Sequence, residues 1–179
     1  MTAADAMASP TSTIVSCEHC GTRNRVAVAA EGIPRCGNCH RPLAWIVDAD
    51  AETFDAAIRA TIPVVVDFWA PWCGPCRMVS PVVERVGRSM AGRLKVVKLN
   101  TDEAPDVAAR YDVQGIPLLV LIEGGNEIDR LVGDPRGAVP PVGRAARARH
   151  DRRRGALTLL WRASQRRPAR RAAGRGGCV

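Results

Sequence analysis

Six of the seven cysteines fall into three C-x-x-C pairs: Cys17/Cys20, Cys36/Cys39 and Cys73/Cys76. Thiols at this spacing either close and exchange a disulfide or deliver two sulfurs to one metal ion. Context separates the two chemistries. Trp72-Cys73-Gly74-Pro75-Cys76 lies between the apolar run Val64-Val65-Val66-Asp67-Phe68-Trp69 and a segment of helical periodicity that is read as starting at Cys73. Residues three apart on a helix lie about 5–6 Å apart at Cβ, and a disulfide needs Cα atoms at roughly 4.4–6.8 Å. Cys73 and Cys76 can therefore close with little backbone movement. At the start of a helix Cys73 faces unpaired N–H groups and the positive end of the dipole, which favour its thiolate; Cys76, one turn inside, lacks that help. The asymmetry predicts that Cys73 attacks a substrate disulfide and Cys76 resolves the mixed disulfide. Pro75 has no N–H to lose in a first turn and stiffens the loop. A metal role for this pair would need a second pair, and the other two match each other better.

Cys17-x-x-Cys20 and Cys36-x-x-Cys39 are 15 residues apart, which is the spacing of a four-thiolate zinc site. The apolar segment between them, Val26-Ala27-Val28-Ala29, is too small to build a core, so a bound ion would supply the folding free energy. His19 and His40 each sit beside a cysteine that already fits and are read as solvated neighbours. The zinc is expected to be structural or redox-sensing, because four zinc thiolates can oxidise to two disulfides and release the metal.

The redox pair needs a scaffold, and the periodicity predicts one. Strands are read at 45–47, 63–69, 94–100, 118–122 and 127–132, with helices at 51–59, 73–90 and 104–111. Alternating helices and strands imply a sheet covered on both faces. The run at 64–69 is apolar at both parities, as in a strand buried on both sides. Val79, Val82, Val83, Val86 and Met90 repeat at helical spacing and form one core stripe, with Pro81 expected to bend that helix. Gly124-Gly125-Asn126 signals a hairpin, so the sheet should be mixed rather than purely parallel. The reading is an α/β fold with a small N-terminal zinc-ribbon-like module. Its parts are a disordered leader at 1–13, the four-cysteine module at 14–43, a redox domain at 44–133, and a tail at 134–179, with Arg41-Pro42 as the hinge between module and domain.

The formal charge of +8 would suggest nucleic-acid binding if it were evenly spread. Instead 13 of the 26 basic residues and only two of the 18 acidic ones follow Gly133, so the tail carries +11 and the rest of the chain −3. The body is mildly acidic. Residues 1–16 hold no basic cluster followed by an apolar run, and no stretch approaches a membrane span. With cysteines used for metal and exchange chemistry, the expected compartment is the cytoplasm.

The segment Val-Val-Val-Asp-Phe-Trp-Ala-Pro-Trp-Cys-Gly-Pro-Cys-Arg-Met at 64–78 closely resembles the active-site segment of thioredoxins. Pro81, Lys98-Leu99-Asn100, Gly115-Ile116-Pro117, Gly125 and Gly133 continue the resemblance in order, over about residues 44–133. The four-cysteine module makes the chain similar to the zinc-carrying bacterial thioredoxins of the thioredoxin 2 type. The resemblance implies a thioredoxin fold and a protein-disulfide reductase that works through a redox-active disulfide, without an organic cofactor. A flavin-containing thioredoxin reductase would supply its electrons, protein disulfides would be its substrates, and it would act as a monomer in electron transport. Asp67 matches the family's buried acid that relays the proton of Cys76. Lys98 matches a lysine beside that acid. Pro117 matches a cis-proline opposite the disulfide, with the backbone beside Ile116 receiving an extended substrate chain by strand addition. Trp72, Gly74, Pro75, Gly115 and Ile116 would form the apolar contact surface. Gly-Pro between the cysteines resembles the reducing branch; an oxidase or isomerase on the same fold is the rival, as is a redox-silent binding module.

After Gly133 the family supplies a final amphipathic helix, whereas this chain has Asp134-Pro-Arg-Gly-Ala-Val-Pro-Pro, and Pro140-Pro141 cannot lie inside a helix. Arg, Ala, Gly and Pro make up 32 of the last 46 residues, which is what a GC-rich gene gives when read in the wrong frame. The alternatives are an arginine-rich arm for RNA, DNA or an acidic surface, and a substitute helix around Leu157, Leu160 and Trp161. Cys178 is read as an exposed leftover thiol.

Overall fold

The computed structural model describes residues 12–30, 32–133 and Leu157. Two short strands open it: β1 (Ser12–Ser16) and β2 (Arg23–Ala27) pair antiparallel as a hairpin. A five-stranded sheet follows, built from β3 (Trp45–Ala49), β4 (Val64–Trp69), β5 (Lys95–Asn100), β6 (Leu118–Glu123) and β7 (Asn126–Val132). Its spatial order is β3-β5-β4-β6-β7. β5 runs parallel to β3 and β4, β6 runs antiparallel to β4, and β7 antiparallel to β6, so the sheet is mixed. The helices are α1 (Phe54–Ala57), α2 (Cys76–Ser89) and α3 (Pro105–Arg110).

Alternation along the central strand divides the core. Val64, Val66 and Phe68 pack with Phe54, Val107, Val97, Leu99 and Val120 on one face. Val65 packs on the other with Val79, Val83 and Val86 of α2 and with Leu119, Leu121 and Leu131. By the same period of two, Asp67 belongs to the α2 face. It lies opposite Lys98 of β5 and Leu119 of β6 in the strand register.

All three helices are shorter than their periodicity suggests, α3 by one residue at each end. The Asp50 carboxylate accepts the Glu52 and Thr53 N–H groups at 3.0 and 2.7 Å, and this turn occupies the segment before α1 begins at Phe54. α2 starts at Cys76, with Pro75 as its N-cap, three residues later than expected, and it runs unbroken through Pro81. The hairpin β1-β2 was not read from the sequence at all, and it takes Ser12 and Thr13 out of the expected leader.

The four-cysteine segment shares the main core. Cys17, Val26, Val28, Cys36 and Leu43 belong to the same buried cluster as Trp45, Val47 and Phe54. Trp45 Nε1 donates to Ala27 O at 3.2 Å, and Lys95 Nζ donates to Val28 O at 2.7 Å while lying 4.0 Å from the Trp45 ring centroid. Lys95 is fully buried, and burial pulls its ammonium down to about 8. The expected hinge is tied on both sides: Pro42 bridges Arg35, and a Cβ at Gly92, where φ is +78°, would meet Pro42 Cβ at 2.7 Å. The cause is composition: a segment too small for its own core uses the edge of its neighbour's.

Of the tail, Leu157 alone is described. It is helical, 5% exposed and packed into the α2-side core, and its N–H donates to Asp129 Oδ2 at 2.9 Å. Leu160, Trp161, Cys178, Pro140-Pro141 and the arginine-rich stretches lie outside the described residues, as does most of the expected leader.

Candidate active site and metal centre

Cys73 and Cys76 are joined as a disulfide with Cα atoms 5.3 Å apart, on the turn that carries the chain from β4 into α2. Both are nearly buried, at 3% and 2% exposure, so accessibility does not distinguish them. Hydrogen bonding does. The N–H of Cys76, an orphan donor of the first helical turn, points at Cys73 Sγ at 3.1 Å. Although α2 begins later than the sequence suggests, Cys73 still receives a donor from its N-terminus.

The surroundings are apolar. Ala70, Cys73 and Cys76 form a small cluster with Trp69 and Ile116 packed against it, and the Ile116–Pro117 bond is cis. Trp72 stands beside them, 69% exposed, its indole N–H donated to the Asp102 carboxylate at 2.9 Å. Gly74 is open, and a Cβ at Gly115 would only touch Val132, which is itself half exposed. The sequence-predicted residues 72–76 and 115–117 thus lie on two loops that the sheet brings to one end. Asp102, from the β5–α3 turn, was not anticipated.

Asp67 is fully buried, and burial pushes its carboxyl up to about 6, against the Ser80 hydrogen bond and the Lys98 charge, which pull it down. Ser80 Oγ donates to Asp67 Oδ2 at 2.6 Å. Lys98 is half-buried, with Nζ 2.9 Å from Glu84 Oε1 and 4.0 Å from Asp48 Oδ1. Burial works against its charge, but the Glu84, Asp48 and Asp67 carboxylates outweigh burial and hold it above the ordinary lysine value. It neighbours the acid electrostatically rather than by a direct bond.

The pattern of the family described as "Thioredoxin" matches residues 45–138. The chain belongs to the thioredoxin family. Three relatives are similar to it: a thioredoxin of Synechocystis, 49% identical over 85 residues, covering 48% of this chain and 79% of that protein; thioredoxin 1 of Nostoc, 56% identical over 92 residues, covering 49% and 86%; and thioredoxin 1 of Chlorobaculum tepidum, 50% identical over 91 residues, covering 50% and 86%. This thioredoxin-family chain is a thiol-disulfide oxidoreductase, and Cys73 and Cys76 lie where its exchangeable dithiol must be. The family normally works with a thioredoxin reductase and disulfide substrates. Among the described residues no helix is long and apolar enough to cross a membrane.

The four-cysteine module lies outside the family match. Its Sγ atoms all fall within 4.8 Å of one another, with Cys17–Cys39 at 3.6 Å and Cys20–Cys36 at 3.5 Å. Zn–S bonds of about 2.3 Å place tetrahedral sulfurs roughly 3.8 Å apart, so the cluster could hold such an ion with little adjustment. Two of its thiols are driven in opposite directions: Thr22 hydrogen bonds hold Cys20 down at about 5, while Cys39, despite the Arg41 backbone N–H, is pushed up to about 12 by burial and three neighbouring sulfurs. Four thiolates so close repel, and a cation would remove the conflict. Asn24 buttresses the site, its Oδ1 accepting Gly37 N–H at 2.9 Å and its Nδ2 lying 3.7 Å from Cys36 Sγ. His19 and His40 are not part of the cluster.

Proposed function

We propose that the chain reduces protein disulfides, with Cys73 as attacking thiol, Cys76 as resolving thiol and Asp67 as proton acceptor for Cys76. The Cys73 thiolate attacks a substrate disulfide, forming a mixed disulfide and releasing one substrate sulfur. Cys76 then attacks Cys73 Sγ, giving its proton to Asp67, and the second substrate sulfur departs with the bonding electrons. A carboxyl with a midpoint near 6 is mostly ionised at neutral pH, yet basic enough to take a proton. The observation that carries this reading is the orphan N–H of Cys76 aimed at Cys73 Sγ: it stabilises negative charge on one sulfur of the pair and not the other. Trp72, Gly74, Pro75, Gly115, Ile116 and Pro117 form the face against which an extended substrate chain is laid.

Cys17, Cys20, Cys36 and Cys39 hold one zinc ion, which locks the module against the β3–β5 edge; oxidation of the cluster would release it. Zinc supplies no step of the exchange reaction. The protein is cytoplasmic and monomeric, and receives electrons from a flavin-containing thioredoxin reductase. The test is turnover of insulin disulfides with thioredoxin reductase and NADPH: native protein reduces them, and full activity in Cys73→Ser refutes the assignment.

A further inference from the structure

Ser80 was not anticipated as a site residue. It sits one turn after Cys76 on the buried side of α2 and is 9% exposed. A serine inside a helix usually faces solvent or bonds the carbonyl four residues back. Its hydroxyl instead reaches across to β4 and donates to Asp67 Oδ2 at 2.6 Å, the length of a charge-assisted O–H···O⁻ bond. This is the one side-chain hydrogen bond that Asp67 makes among the described residues. Its other oxygen, Oδ1, is likewise the only buried side-chain nitrogen or oxygen among them without a partner.

The remaining charges around Asp67 act from further off. Lys98 of β5 is bonded to Glu84 of α2 and near Asp48 of β3; Glu84 and Asp48 repel a carboxylate at Asp67 and Lys98 attracts it. Leu119 faces it from β6. Among the described residues the Ser80 hydroxyl is the one hydrogen-bond partner that orients the carboxyl group, and the oxygen it leaves free, Oδ1, is the one that can accept a proton.

We propose that Ser80 is a positioning residue for the exchange reaction: it holds Asp67 Oδ2 and stabilises the carboxylate, so that Oδ1 remains open to receive the Cys76 proton. The inference rests on Asp67 being the proton acceptor. As Cys76 Sγ bonds to Cys73 Sγ, the Cys73–substrate S–S bond breaks with its electron pair going to the substrate sulfur. The Cys76 proton moves to Asp67 Oδ1 and later passes through solvent to the departing thiolate. Ser80 keeps its own proton throughout.

The experiment compares native protein with Ser80→Ala, Ser80→Thr and Asp67→Asn. Asp67 is titrated by carboxyl carbon NMR, and resolution of a Cys73 mixed disulfide is followed in single turnovers from pH 5 to 9. A hydrogen bond to a charged group has a strength equivalent to about one to two pH units. The Asp67 midpoint should therefore rise by that amount in Ser80→Ala and return towards the native value in Ser80→Thr, which keeps the hydroxyl. Resolution at pH 7 should slow about threefold or more in Ser80→Ala, with the gap closing by pH 9 as the carboxyl ionises regardless. An unmoved midpoint and pH profile in Ser80→Ala would overturn the role of Ser80 alone. A native pH profile in Asp67→Asn would overturn the proton-acceptor reading and the proposal with it.

Discussion

Replacing Asp67 by Asn should stabilise the oxidised protein, and by an amount that depends on pH in a specified direction. Burial raises this carboxyl from an ordinary value of 3.8 to about 6, so the folded state binds its proton more tightly than the unfolded chain does. Stability contributed by such a group is fully present below the unfolded value and is lost as pH rises through the folded one. Above pH 7 both states carry the charge, and the cost of keeping it buried is fully expressed. A difference of about two units at about 1.36 kcal/mol each gives roughly 3 kcal/mol. Asp67→Asn removes this cost, less part of the Ser80 hydrogen bond. Urea unfolding of both oxidised proteins between pH 4 and 8.5 measures the gap. It should be roughly 2–3 kcal/mol at pH 8 and shrink towards zero at pH 4. A gap that is constant with pH, or widest in acid, would refute the claim that Asp67 is buried as an ion at neutral pH. The same substitution should slow resolution of the mixed disulfide, so stability and turnover would move in opposite directions, as they do where a functional group is held in an unfavourable setting.

Cys76→Ser should trap protein substrates as stable mixed disulfides on Cys73, visible by mass spectrometry under non-reducing conditions, whereas Cys73→Ser should trap none. The purified chain should carry one zinc ion per molecule by elemental analysis. Stripping that zinc should lower the midpoint of a single thermal transition by calorimetry rather than melt the module on its own, because Cys17, Val26, Val28 and Cys36 are part of the main core; two separate transitions would contradict this. Gly87→Ala should destabilise the protein by about 1–3 kcal/mol in urea unfolding, despite the better helix propensity of alanine. A Cβ there would meet Val96 Cγ2 at 2.8 Å and Ile46 Cγ1 at 3.1 Å, where α2 rests on the sheet.

Spacing and periodicity alone made much of this molecule legible. Cys73 and Cys76 can bond because three residues at the mouth of a helix span a set distance, and that distance depends on nothing remote. The strand at Val64–Trp69, the stripe on α2 and the turn before Asn126 are equally local, since a period of 2 or 3.6 states which side chains share a face. Two C-x-x-C turns at the right separation announce a cluster of four sulfurs for the same reason.

What the sequence could not determine depends on residues far apart in the chain. The helix starts at Cys76 rather than Cys73 because the segment 70–75 is a turn, yet the Cys76 N–H still reaches Cys73 Sγ. Asp67 can be placed in a buried strand from its neighbours, but only packing of α2 on β4 sets Ser80 against one of its oxygens and leaves the other bare. Nothing local in the sequence singles out Lys95; 67 positions separate it from the carbonyl of Val28 that it bonds. That contact and the Trp45 indole draw the four-cysteine segment into the core of the redox domain. Burial of a charge, and the partner that makes burial tolerable, are properties of the assembled interior, because solvent is excluded only after both elements have docked.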